Sequence, residues 1–325
     1  MEKIKLLTMA ALTTAVFASC SNEDGLLQSN YPADNVVRIT TSVDGMNTRA
    51  SYGGSTAKLS SFGFCINNAG SDKYTYDNIK VTQENGKWNP ATQMLWQNST
   101  TAVDILAYAP YQANGNVKIF GKSDYAFSVK ADQSNAEDYS SDLIVYKQTG
   151  FTPGSELNTS KAVDVTFTHL LSQLNLTIEL RDQFNQDEKN PVTAGFVTDV
   201  KVNGTIISSK VDFSASPISV QVDDTQEATA ITPETTEFKA AGKTTDHAAF
   251  NYSAIVIPQT VTAGNFSISF KVDGTDYIWT STSDVNFVSG NKHQLSLLVG
   301  KDVVQVKGIT ATPWGKENIT QGETD

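Results

Sequence analysis

Few residues in this chain are of a type that could do chemistry: three histidines, His169, His247 and His293, and two cysteines, Cys20 and Cys65. A zinc site or a nucleophile–base pair would be built from such residues, but there is no HExxH, no His-x-His and no Cys close to a His. A Gly-x-Ser-x-Gly elbow and a phosphate-cradling glycine loop are missing as well. Each histidine therefore reads as a structural residue. Two acidic loops, Asp132 to Asp142 and Asp182 to Glu188, offer oxygen ligands without the Asp-x-Asp-x-Asp-Gly spacing of a calcium loop, so solvated charge is the simpler account. No catalytic residue, metal ligand or cofactor is expected, and an enzyme is the least supported class. The chemistry that the sequence does support is done to the chain. Asn47-Thr48-Arg49-Ala50 sets a lone Arg among small polar residues. A trypsin-like protease can enter such a loop and cut between Arg49 and Ala50.

Cys20 is the second such place. Lys3 and Lys5 precede an apolar run from Leu6 to Phe17, and Ala18 and Ser19 lead into Cys20. A basic head, a short apolar stretch and small residues at the junction describe a secretory signal peptide over residues 1–19 rather than a membrane span. Cys20 after Phe17-Ala18-Ser19 resembles a bacterial lipobox, with Phe17 where Leu is usual, which implies diacylation of Cys20. Membrane attachment is then expected through lipid alone. Cys65, in Phe62-Gly63-Phe64-Cys65-Ile66, is left to act as a buried small hydrophobe, and no disulfide framework is expected.

Cleavage after Arg49 matters because of what precedes it. Val37, Ile39, Thr41 and Val43 alternate with Arg38, Thr40, Ser42 and Asp44. That period of two puts one side of a strand in a core and the other in water. Residues 20–49 thus read as a lipidated propeptide carrying an excisable strand, although an ordinary first strand followed by a polar loop is the plainer alternative. Removing residues 1–49 leaves 276 of 325 residues, enough for two domains of about 140 each. The full chain carries a net charge of −11. With no basic surface to replace counterions, nucleic acid is not an expected partner.

The elements that must position these residues are strands. Ala57 to Ile66, Tyr74 to Val81, Tyr125 to Val129, Asp142 to Tyr146, Val163 to Thr168, Leu170 to Leu180, Ile255 to Pro258 and Gln294 to Val299 read as extended segments. Val103 to Tyr111 is mostly apolar, as suits a strand buried on both faces that stops at Pro110. Asn85-Gly86, Asn203-Gly204 and Asp273-Gly274 signal hairpin turns, because those pairs tolerate positive φ. Lys147 to Lys161 reads as a linker, which places a domain boundary between residues 50–158 and 159–325. No long segment has amphipathic helical periodicity. The class expected is all-β, most simply two β-sandwiches in tandem.

Several apolar blocks, taken in order, resemble the fimbrillin family, the type V pilins of Bacteroidetes. They are Ser61 to Phe64, Leu95-Trp96 with Asp104 to Tyr111, Asp142 to Val145, Val165 to Leu174, Ile257 to Gln259, and Ile309 to Trp314. The resemblance implies two transthyretin-like (Greek-key) sandwiches. It also implies export as a lipoprotein to the outer membrane and removal of the N-terminal strand by an arginine-specific surface protease. The C-terminal strand, with Val304, Val306, Ile309 and Ala311, would donate itself to a neighbouring copy. His169, beside buried positions in this pattern, is expected to make a core or inter-strand hydrogen bond.

The function this implies is a subunit of a surface fimbria that polymerises by strand exchange and supports adhesion. Its partners would be further copies of itself, accessory fimbrial subunits and a host receptor or glycan. An anchor or tip subunit is the nearest alternative. A glycan-binding surface lipoprotein that stacks sugars on Trp88, Trp96 or Trp279 is an alternative of another class.

Overall fold

The structure, a computed structural model, describes residues 30–43, 58–113, 118–185, 191–242 and 246–314. Cys20, Arg49 and Ala50 lie outside the described residues. The first seven strands are β1 (Ile39–Val43), β2 (Ser61–Asn67), β3 (Tyr76–Glu84), β4 (Lys87–Pro90), β5 (Val103–Ala109), β6 (Tyr125–Ser128) and β7 (Ile144–Phe151). A four-residue helix, α1 (Pro153–Glu156), is followed by β8 (Val163–His169), β9 (Ser172–Leu180), β10 (Val197–Asn203), β11 (Ser208–Asp212), β12 (Ser219–Val222) and β13 (Glu234–Lys239). The last seven are β14 (Ala248–Val256), β15 (Gln259–Val261), β16 (Ser267–Val272), β17 (Thr275–Thr280), β18 (Val285–Phe287), β19 (Asn291–Gly300) and β20 (Val303–Pro313). The chain is all-β, built from several sheets.

A seven-stranded sheet runs in the order β1-β8-β7-β5-β2-β3-β4. Alternation decides its two faces. Phe62, Phe64, Ile66, Ile105, Ala107, Val163, Val165 and Phe167 point into one core together with Val37, Ile39 and Val43. Cys65, Leu106, Tyr108 and Val145 point the other way, into a second core. β5 is apolar apart from Asp104 because both of its faces are covered, as the sequence led one to expect, and it ends at Ala109 before Pro110. The rings of Tyr108, Tyr125 and Phe213 meet on that second face at centroid distances of 5.1 to 5.8 Å. They join the large sheet to a small one ordered β12-β11-β6. Gly63 allows the close fit: a Cβ there would stand 2.3 Å from the Tyr108 ring.

The remaining strands form a five-stranded sheet, β13-β14-β9-β19-β20, a three-stranded sheet, β10-β16-β17, and the pair β15-β18. Their inward residues, among them Leu176, Phe250, Leu297, Val202 and Phe270, belong to the same core as the outer face of the large sheet. Strand pairing crosses position 158/159 in both directions. β8 hydrogen-bonds β7 and β1, and β6 pairs with β11.

Two sequence expectations differ from the structure. Residues 147–151, read as linker, continue β7 because their backbone completes pairing with β5 through Val103↔Phe151, whatever their polarity. Asn203-Gly204 does not make a hairpin. β10 pairs with β16, and β11 with β6 and β12. Gly204 has φ 92°. A Cβ there would meet the Asn265 carbonyl oxygen at 2.0 Å, so the glycine serves a close backbone approach instead of a turn between paired strands. The hairpins at Asn85-Gly86 and Asp273-Gly274 form as expected, between β3 and β4 and between β16 and β17.

Candidate functional site

The candidate site has two parts, the first and last described strands, each at an edge of its sheet. β1 pairs in parallel with β8, Ile39 opposite Val163 and Val43 opposite Phe167. The Val163 N–H donates to the Arg38 carbonyl at 2.8 Å, which fixes the phase of the ladder. Peptide groups of the even-numbered residues therefore face β8, and those of Ile39, Thr41 and Val43 face away from it. Just before β1, the chain makes an antiparallel contact on its other side. Val37 N–H donates to Met94 O at 3.0 Å, and Trp96 N–H donates to Asn35 O at 2.8 Å. Residues 94–96 lie just beyond β4, so this contact closes one end of the curled sheet. Further along, a cleft of about 780 Å³ remains between β1 and β4, lined in part by Ile39, Thr41, Trp88 and Pro90. Pro90 leaves an edge without a donor at that position.

The apolar side chains of β1 and of Val37 just before it are core residues. Val37, Ile39 and Val43 are 3%, 7% and 6% exposed. Thr41 is half-buried, and its hydroxyl oxygen has no hydrogen-bond partner among the described residues. On the outward side, Ser42 donates to Thr166 Oγ1 at 3.0 Å, and Asn158 donates to Thr40 Oγ1 at 2.9 Å. Arg38 pairs with Asp34, and this hydrogen bond holds the Asp34 carboxyl down at about 2. The sequence pattern did not reveal Met94, Trp96 or Asn158 as partners of this strand.

β20 pairs antiparallel with β19 alone, as the outer strand of its sheet. Val304, Val306, Ile309 and Ala311 stand opposite Val299, Leu297, Leu295 and His293. Those four β19 residues are buried, whereas Val306 and Ile309 are 46% and 41% exposed and Ala311 is exposed too. The apolar stripe thus continues into solvent. Two side-chain contacts reach across β19: Lys307 Nζ donates to Glu179 Oε2 at 2.7 Å, and Arg181 donates to Gln305 Oε1.

Trp314, directly after β20, is 7% exposed and lies flat on the His169 ring, with centroids 3.9 Å apart and planes 6° apart. His169 Nδ1 is 2.9 Å from Asp142 Oδ1, and both side chains are fully buried. This is the core hydrogen bond expected of His169. Lys292 Nζ stands 5.7 Å from the centre of the Trp314 ring, and burial holds its ammonium below the ordinary lysine range. Three of the sequence blocks, those containing Asp142, His169 and Trp314, converge here although 172 positions separate the first from the last. Nothing in the spacing announces that meeting.

Among the described residues no group of three or more His, Cys, Asp or Glu side chains is placed to hold a metal ion. The acidic loop at 132–142 uses its carboxylates locally: Asp132 accepts from Ser134, and Asp138 pairs with Lys130. Burial pushes the Cys65 thiol well up. Of the three tryptophans considered for sugar stacking, Trp96 is 2% exposed and stacked on Phe151. Trp88 and Trp279 are half-buried, with their rings against Phe62 and Phe266.

Residues 48–314 match the model of a family described as fimbrillin-like. No curated protein matches the sequence. Among solved structures, the chain is similar to a fimbrial protein from Bacteroides vulgatus at 17% identity and a TM-score of 0.51, over 85% of this chain and 99% of that one. It is also similar to two proposed cell adhesion proteins. The one from Bacteroides ovatus is 14% identical with a TM-score of 0.59, and the one from Bacteroides uniformis is 19% identical with a TM-score of 0.55. Each of these two covers 87% of this chain and is itself covered to 99%. At such identities the likeness is one of fold.

Proposed function

Since the chain belongs to the fimbrillin-like family, we propose that it is a structural subunit of a cell-surface fimbria that supports adhesion. In this reading it is exported with a signal peptide over residues 1–19 and acylated on Cys20. An arginine-specific protease then cuts it after Arg49, and it polymerises when β20 of one copy enters the slot that β1 of another has left. Its partners are further copies of itself and accessory fimbrial subunits. Residues 50–158 and 159–325 would correspond to the two transthyretin-like units of such a subunit.

One observation carries the proposal. β1 and the residues just before it contribute three core side chains, Val37, Ile39 and Val43, yet β1 is an edge strand and the chain leads on from it to Arg49. Its burial is worth on the order of 5 kcal/mol by transfer, before the cost of ordering the strand. Once β1 departs, an apolar slot beside the exposed edge of β8 is left in water, and an incoming extended strand restores both the burial and the ladder. While β1 is seated it competes with any donor.

The test is an Arg49→Ala precursor. It is expected to remain a lipid-anchored monomer, whereas trypsin treatment of the wild-type precursor yields Ala50 as the N-terminus and permits assembly. Polymers of Arg49→Ala protein that retain Val36 to Val43 would sink the mechanism.

A further inference from the structure

β20 is nearly bare along its length. From Val303 to Pro313 only Val304 and Thr312 are even half-buried, and then Trp314 is buried. The side-chain burial at the far end of this strand is therefore concentrated in one residue. Its seat is tied by hydrogen bonds to the β8–β9 corner. The Trp314 N–H donates to Gly290 O at 2.7 Å, and the Gly290 N–H donates to Leu171 O at 3.0 Å. Ser289 Oγ donates to Leu170 O at 2.6 Å, and Ser172 Oγ to Val288 O at 2.7 Å. The 288–290 turn is thus bound to the β8–β9 corner that carries His169, and Asp142, just before β7, orients the His169 ring.

We propose that Trp314, seated on His169, is a latch that holds β20 on its own sheet and sets how readily the strand is released for exchange. This rests on the reading of β20 as the donor. A strand that leaves β19 for a neighbour re-forms its ladder there, so ladder hydrogen bonds count on both sides of the equilibrium. Contacts made only at home decide it. Besides the Lys307–Glu179 and Gln305–Arg181 pairs, which are exposed to solvent, and the half-buried Val304, the largest home-only contact is the buried indole, stacked on His169 with Lys292 Nζ beside its ring. The indole N–H of Trp314 is buried without an acceptor among the described residues. Stacking on His169, the Lys292 ammonium beside the ring and one backbone hydrogen bond hold the residue, and no hydrogen bond of the indole has to break for it to leave.

The experiment uses the protein beginning at Ala50, compared as wild type, Trp314→Ala and Trp314→Phe. Amide hydrogen exchange of the monomer and the rate of filament growth by light scattering are both measured. Trp314→Ala should raise exchange in the Gly308 to Pro313 half of β20 by about tenfold or more, with β9 and β14 unchanged. Trp314→Phe, which keeps an aromatic face on His169, should fall between the two. Unchanged exchange in β20, or an equal rise in β9 and β14, would overturn the latch. Faster exchange together with faster filament growth supports both latch and donor. Faster exchange with filament growth unchanged keeps the latch and counts against β20 as the donor.

Discussion

β1 and β20 are both terminal edge strands with apolar residues at alternate positions, but they meet opposite fates. In β1 the apolar side chains are buried and the outer edge faces a cleft. β20 pairs with β19 along its length, with one register shift beside Lys307, and its Val306 and Ile309 are exposed. The difference does not lie in hydrophobicity, since Val37, Ile39 and Val43 are matched by Val304, Val306 and Ile309. It lies in what stands opposite. β1 closes over a core already walled by β8, β2 and the 94–96 segment, whereas β20 touches the β10-β16-β17 sheet through β17 and still leaves Val306 and Ile309 exposed. One strand leaves a hole when removed. The other has side chains that need a hole. An exchange mechanism requires this asymmetry, because a strand that is already content at home has nothing to gain by moving.

The comparison breaks most sharply if β20 is removed. A chain lacking Val303 to Asp325 should still fold, since the deleted side chains up to Pro313 bury little, and it should form no filaments at any concentration. Electron microscopy of the protein beginning at Ala50 checks this, and filaments from the truncated chain would show that another segment is the donor. Next in size are matched substitutions. Ile39→Ala should destabilise the precursor by about 2–4 kcal/mol, the ordinary cost of emptying a buried isoleucine site. Ile309→Ala should cost the monomer about 1 kcal/mol or less while slowing assembly several-fold, because its side chain gains burial only in the polymer. Urea denaturation and filament growth measured on the same preparations separate the two effects. Equal losses of monomer stability at both sites would erase the distinction.

How much of this the sequence foretold follows from what periodicity encodes. An alternation of two specifies a face, so the buried set of β1 and the doubly covered β5 were legible. It does not name a neighbour, so the parallel pairing of β1 with β8, more than 120 residues away, was not. Nor does it say whether the face will be covered. Val304, Val306 and Ile309 were expected in an extended donor strand, but the exposure of Val306 and Ile309 depends on what packs opposite them, which the pattern does not give. Turn chemistry is ambiguous in a similar way. Asn-Gly tolerates positive φ, and at Asn85-Gly86 the fold uses that for a hairpin, while at Gly204 it admits the Asn265 carbonyl. The Trp314 seat was beyond reach because its members come from β19, the β8 end, the segment just before β7 and the segment after β20.

The smallest expected effect concerns the polar tether of β20. Lys307 lies across β19 from Glu179, 2.7 Å away, with side chains 45% and 21% exposed. Burial raises the Glu179 carboxyl, but the hydrogen bond and charge of Lys307, aided by His247, outweigh it, and the net shift is downward from 4.5. A carboxyl whose folded pKa lies below its unfolded value stabilises the fold above the unfolded value. That contribution fades as pH falls from about 4.5 through the lowered folded value. For a pair this exposed the contribution is about 0.3–0.5 kcal/mol. Lys307→Met should therefore lower monomer stability by that amount at pH 7 in low salt, and the difference from wild type should be smaller at pH 3 and in high salt. Urea midpoints at both pH values are the measurement. Since the tether is made only while β20 is at home, the same substitution should speed filament growth slightly. A slower rate would mean that Lys307 serves the assembled state instead of the monomer.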